Sequence, residues 1–398
     1  MKIYNGNIRG FEYEIIVTPN KNQKYCLIGT KVGGKDYIAD KEYNHGLAHF
    51  LEHKLLMQEN GEDGYNVLER LGVRTNAYTS DNKTVYYFSG IDILEPFEFL
   101  IKSFFNPHFN EEDINNEKNI IKREISMVEN SLDYKMVHEI LTTCFNNHPI
   151  SYSIAGTHYD IDKITKDEIE DFYKYYYKNN NCKLVLVGDI NPDVYISILE
   201  KYVPNNEGIV EKNNLYPLVD GVNKTIYYDD LQTDKFTLAI RINKDYFSDE
   251  ESLLLDAYFN QVFNQSSKIF QNLLDKHIID PSFYYDNFSS KYYKMFIITS
   301  SSQYLKKSVD TIKNIVINGF EEEELLYDNY LKRKVSTIIL GEDSQNFLGN
   351  NCLNFLLNDD KYSNYREFLL KYRIKDTTLA KKLFNEASYF EFYFKKSE

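Results

Sequence analysis

The chain has no tryptophan, no CxxC pair, no long apolar run and no block of basic residues. Its four cysteines, Cys26, Cys144, Cys182 and Cys352, are widely scattered. They read as buried thiols of a reducing compartment, neither a disulfide frame nor a zinc knuckle. No apolar stretch approaches the ~18 residues of a membrane span. The N-terminus, MKIYNGNIRGFEYEIIV, places charged residues where a signal peptide needs its apolar stretch. The expectation is a cytoplasmic protein with no membrane span, starting at or near Met1. Lys and Arg number 46 against 60 Asp and Glu, a net charge of −14. Without a basic footprint no nucleic-acid partner is expected, and a negative field favours basic or neutral substrates. The 35 tyrosines beside zero tryptophans fit a coding bias toward Lys, Asn, Ile and Tyr.

What is present is enough chain, 398 residues, for two or three domains at ~150 residues each. YEIIVTP and KYCLIGTKVGG alternate as strands do. A helix is expected to open after Asn44, a good N-cap, and to run to about Gln58. YNVLERLG reads as a second helix, VRTNAYT and TVYYFSG as a hairpin, and Glu111 to about Asn130 as a long helix. Another helix, KDEIEDFYKYYYK, precedes the buried strand CKLVLVGDI. After a polar stretch with two prolines the order begins again: strands KTIYYDDL and FTLAIRI, helix DEESLLLDAYFNQVF, the strand pair SFYYDNFSS and YKMFIITSS, and a helix from Leu305. The fold class expected is α+β, two similar domains, each a mainly antiparallel sheet packed with helices. They are drawn at 1–210 and 223–398 with a linker at 211–222.

The chemistry gathers in NHGLAHFLEHKLLM, Asn44 to Met57. His49 and His53 stand four residues apart, one turn along one helix face, and two neutral imidazoles suit Zn²⁺. Glu52 lies beside them, where a carboxylate works on a metal's water. His45 would extend the stripe one turn earlier, and spacing alone does not choose between the pairs His45/His49 and His49/His53. A third ligand is needed. On the long helix Glu117 and Glu124 are two turns apart on one side, so that one could reach the metal while the other supports a histidine. Spacing leaves that choice open too.

HGLAHFLEHKLLM, LGVRTNAYTSDNKTVYYFSG, EKNIIKREISM, HPISYSIAGT and CKLVLVGDI resemble, in that order, the M16 family of zinc peptidases, the inverzincins with an inverted H-x-x-E-H motif. The resemblance covers most of Tyr13 to Asn191 and, more loosely, the second half. It implies the family's metallohydrolase fold, one Zn²⁺ per chain held by His49, His53 and Glu124, Glu117 supporting the ligands, and Glu52 as general base. The interval from His53 to Glu124 is slightly short for the family, which implies a loop deletion. The activity implied is peptide hydrolysis, with Glu52 taking a proton from water and returning it to the leaving amine. Asn76 and Ala77 would pair with the peptide substrate as an added strand.

The second half departs from the family. Complete members carry an Arg and a Tyr that hold substrate opposite the zinc. The corresponding stretch here, LLDKHIIDP, puts Leu274 and Pro281 at those positions, and no Arg occurs between Arg241 and Arg333. Neither Leu nor Pro offers a side-chain donor. The resemblance therefore implies a heterodimer whose related partner chain supplies the pair, with peptide maturation as its work, and as the alternative a non-catalytic structural or peptide-binding subunit.

Overall fold

A computed structural model of the protein describes residues 1–36, 43–146, 148–211, 221–244, 246–290, 293–374 and 376–397. The chain forms two compact units. The first holds Met1–Glu129, Tyr152–Asn213 and Ile339–Asn364, the second Asn130–Ser151, Asn214–Ile338 and Tyr365–Glu398.

In the first unit six strands, β1 (Lys2–Ile8), β2 (Phe11–Val17), β3 (Lys24–Thr30), β4 (Arg74–Thr79), β5 (Thr84–Gly90) and β6 (Cys182–Gly188), form one sheet in the order β1-β2-β6-β3-β5-β4. All neighbours are antiparallel except β2 and β6. The Val/Leu run of β6 is buried throughout because both faces of the sheet are covered. One face carries the main core, where Phe50 and Leu51 of the helix Leu47–Lys54 meet Tyr86, Phe88 and Phe104. The other face is covered by the helix Gln345–Leu357 from the far end of the sequence. Gly349 makes that approach feasible, since a Cβ there would stand 2.7 Å from Leu27 and 2.9 Å from Tyr25.

The second unit has five strands, β7 (Asn223–Tyr228), β8 (Lys235–Asn243), β9 (Tyr284–Ser289), β10 (Tyr293–Ser301) and β11 (Ser388–Lys396), in the order β7-β11-β8-β10-β9. Only β7 and β11 run parallel. Laid over the first sheet, this is the same order with β1 removed. Here too a helix from the opposite half of the sequence, Leu132–Phe145, closes one face, packing on Ala239, Met295, Phe390 and Phe392.

The α+β class with two similar units therefore holds, while the units are not consecutive halves. Residues 130–151 and 339–364 each pack with the sheet of the other half, because each sheet has a second apolar face that its own helices leave bare. Most of the expected linker, 212–220, lies outside the described residues. All four cysteines are free and buried. Among the described residues no helix is long and apolar enough to cross a membrane.

Candidate active site

The motif helix spans Leu47–Lys54, shorter than expected at both ends. Asn44 is not its cap. Its backbone and side-chain N–H groups donate instead to the Glu168 carboxylate, at 2.7, 3.0 and 2.8 Å. The cap is Gly46, at φ 87°, where a Cβ would stand 2.3 Å from the Ala155 carbonyl oxygen. His45 consequently lies ahead of the helix and does not continue the stripe. Its ring rests edge-on against Tyr152, centroids 4.4 Å apart.

Leu47, Phe50, Leu51 and Lys54 face inward and fix the rotation of the helix, and that rotation brings His49 and His53 together. Their Nε2 atoms are 3.3 Å apart. Glu124, two-thirds along the helix Glu111–Glu129, reaches the same point, its Oε2 3.9 Å from His53 Nε2. One ligand atom from each of the three lies within 4.8 Å of the others. Of the pairings left open by spacing, the structure brings together His49/His53 and Glu124.

Glu117 turns to the opposite side of His53. Its Oε1 accepts from His53 Nδ1 at 2.9 Å, and Lys54 Nζ stands 2.5 Å from its Oε2. With Nδ1 as donor, His53 Nε2 keeps its lone pair for a ligand. Burial alone would raise the Glu117 carboxyl, but its bonds to His53 and Lys54 outweigh that and lower it. Burial would lower His53, and Glu117 more than offsets it. His49 is pushed down to about 4 by burial and then by His53, so its ring is neutral near pH 7. Its Nδ1 is buried without a hydrogen-bond partner among the described residues.

Glu52 is buried between this cluster and the sheet. Its Oε2 accepts from Thr79 Oγ1 at 2.6 Å, and its backbone carbonyl accepts from the Tyr65 hydroxyl at 3.2 Å. Burial raises its carboxyl, against the lowering by Thr79 and His53. Thr79 escaped notice in the sequence; its only signal was its place at the end of the NAYT run. The neighbouring Thr84 hydroxyl, 3.3 Å from Thr79 Oγ1, donates its own proton to the Val32 carbonyl at 2.9 Å.

Asn76 and Ala77 sit on β4, the outermost strand of the sheet. The Ala77 N–H already donates to Asn76 Oδ1 at 2.9 Å, so an added strand would have to displace that side chain. In the second unit Leu274 and Pro281 border an open cavity of about 1570 Å³, together with His277, Lys306 and Lys307.

Two imidazole nitrogens and a carboxylate converging, with a second carboxylate beside them, are a donor set that could hold a metal ion, of the kind metal-dependent hydrolases use. The comparisons agree with that class. The family model for insulinase, peptidase family M16, matches residues 15–158, and the model for the M16 inactive domain matches 163–327. The chain belongs to the M16 peptidase family. It is 29% identical over 299 residues to the uncharacterized zinc protease YmfH of Bacillus subtilis, covering 70% of this chain and 69% of that protein. Over 179 residues it is 27% identical to the mitochondrial-processing peptidase subunit beta of Homo sapiens, covering 44% of this chain but only 36% of that one. In fold it matches a protease from Helicobacter pylori with a TM-score of 0.82 at 19% identity, over 99% of both chains. It also matches a peptidase M16 inactive domain from Pseudomonas fluorescens with a TM-score of 0.81 at 13% identity, over 100% of this chain and 98% of that one.

Proposed function

We propose that the protein is the zinc-bearing subunit of an inverzincin-type endopeptidase. The observation that carries this reading is the convergence of His49, His53 and Glu124 on one point. The donor set fits zinc: ligands at ~2.0–2.1 Å in tetrahedral array stand about 3.3 Å from one another, and the two Nε2 atoms are 3.3 Å apart. A hydrogen bond between the two rings would give the same distance, but would leave the Glu124 carboxylate turned toward them without a role. When bound, zinc supplies Lewis-acid polarisation of water and of the scissile carbonyl.

The chain's own residues do the rest. Glu52 takes a proton from the attacking water and delivers it to the leaving nitrogen. Thr79 holds Oε2, so Oε1 is the atom that carries the proton. Burial raises Glu52's affinity for it, which suits a group that must both accept and release. Glu117 and Lys54 fix the His53 ring. The substrate is an extended peptide laid against β4 at Asn76 and Ala77, whose recognition reads backbone more than side chains. Full turnover needs a related partner chain in the cytoplasm that supplies the Arg/Tyr pair absent at Leu274 and Pro281, and peptide maturation is the reaction such a pair of chains serves.

The test is peptide hydrolysis by the purified chain, alone and with candidate related chains, next to Glu52→Gln. The reading requires a variant that keeps its metal and loses cleavage. Full turnover by the chain alone would remove the partner from the account, and cleavage by Glu52→Gln at the unaltered rate would remove Glu52 as base.

A further inference from the structure

Each element that builds the metal cluster has a counterpart in the second unit. The motif helix Leu47–Lys54 corresponds to the helix Asp249–Phe263, since each follows the equivalent strand, β3 or β8. By the same order β4 corresponds to β9, and the helix Glu111–Glu129 to Glu324–Gly341. Where the first three elements bring together His53, Thr79 and Glu124, the second three bring together Asn260, Tyr285 and Arg333.

Arg333 Nη2 donates to Asn260 Oδ1 at 3.0 Å, and Asn264 Nδ2 donates to the same oxygen at 3.2 Å. With its oxygen so occupied, Asn260 presents Nδ2 to the Tyr285 hydroxyl oxygen, 3.3 Å away. Asn260 is buried, whereas Tyr285 is 36% exposed and Arg333 is exposed. A buried amide thus anchors two donors at the surface. Tyr285 accepts from Asn260, so its O–H proton has no acceptor among the described residues. Arg333 uses one N–H, and no carboxylate stands within ion-pair distance of it or of the adjacent Lys332 and Lys334 among the described residues. The nearby acid Asp256, one turn before Asn260, is met by the buried Lys294 at 2.8 Å. A guanidinium with no carboxylate partner among the described residues, beside a phenol whose proton is uncommitted, is an acceptor-seeking arrangement, in a chain whose net charge is −14. Alongside runs β9, the last strand of its sheet, bonded among the described residues only to β10 and exposed at Tyr284, Tyr285, Asp286 and Asn287.

We propose that this position of the second unit binds the carboxylate of an extended peptide aligned on β9, with Arg333 and Tyr285 donating to it. The first unit's cluster takes a cation; this group, on the corresponding elements but toward the other end of the edge strand, takes an anion. The arginine comes from the Glu324–Gly341 helix and not from the stretch that holds Leu274, so the group is distinct from the pair assigned to a partner chain. The inference names a substrate feature for the peptidase reading and rests on it for the peptide alone.

The test is fluorescence anisotropy on the full chain carrying Glu52→Gln, with fluorescein-labelled Val/Ser peptides. One pair compares a central Glu with Gln; the other compares a C-terminal acid with its amide. At least one pair is expected to differ by about tenfold in Kd in favour of the carboxylate, and which pair differs identifies a side chain or a terminus as the ligand. Arg333→Gln is expected to abolish the difference, Arg333→Lys to retain part of it, and Tyr285→Phe to reduce it by about two- to threefold. An unchanged thermal midpoint shows that the variants are folded. A preference that survives Arg333→Gln, or no preference in either pair on the unaltered site, overturns the proposal. Cleavage by the wild-type chain together with candidate related chains, followed by mass spectrometry, decides the peptidase reading separately, so either can fail without the other.

Discussion

Strand by strand the two units follow one plan, and they differ in what three corresponding elements carry to their meeting point. In the first unit a helix brings two imidazoles, a second helix a carboxylate, and the edge strand a hydroxyl that holds the base. In the second unit the same elements bring an amide, a guanidinium and a phenol. The apolar pattern that builds each sheet and its covering helices is the same in kind. A handful of polar residues therefore assigns the chemistry, and the scaffold only supplies the place.

The largest expected effect falls on one side of this comparison. Glu52→Gln should lower kcat by about 10³-fold while zinc content stays at the wild-type level, whereas Asn260→Ala in the other unit should leave both zinc content and kcat within a few-fold. Metal analysis beside single-turnover hydrolysis checks both. Next comes Glu117→Gln, which replaces the anionic acceptor of His53 Nδ1–H with a neutral amide and leaves Lys54 without its ion pair. It should weaken zinc binding by about 10- to 100-fold in a chelator competition, and no substitution at Arg333 should do so. Thr79→Val removes the donor to Glu52 Oε2. It should lower kcat by about tenfold with little change in KM, which a pH–rate profile and zinc analysis would separate from misfolding. The smallest effect sharpens the comparison at the level of packing. Gly349→Val should cost about 1–3 kcal/mol of stability in denaturant unfolding, because the helix from the far end of the chain can no longer sit on Leu27 and Tyr25.

Much of this was legible in the sequence because the information is local. The His49, Glu52, His53 arrangement follows from helical spacing, and the hairpin of β4 and β5 from alternation around a turn. The resemblance implies Glu124 over Glu117 as the ligand; Glu124 Oε2 stands 3.9 Å from His53 Nε2, and Glu117 bonds to Nδ1. The motif helix starts later than Asn44, a good cap in the abstract, would place it. Here the Asn44 side chain is engaged by Glu168, and the tight approach of the Ala155 carbonyl demands glycine at position 46. His45 was displaced from the stripe for the same reason. The interleaving of the units could not be read, since the apolar faces of Leu132–Phe145 and Gln345–Leu357 say that each helix is covered but not by which sheet. The meeting of Asn260, Tyr285 and Arg333 was equally hidden. These residues are far apart in sequence, and none belongs to a motif.

The central claim is that the first unit holds a catalytic metal at His49, His53 and Glu124 and that the Asn260, Tyr285 and Arg333 group of the second unit does not. Zinc content per chain in the wild type, His53→Ala and Asn260→Ala tests it most directly. About one zinc in the wild type and in Asn260→Ala, with none in His53→Ala, is the expected result; zinc retained in His53→Ala, or lost in a folded Asn260→Ala, would contradict it.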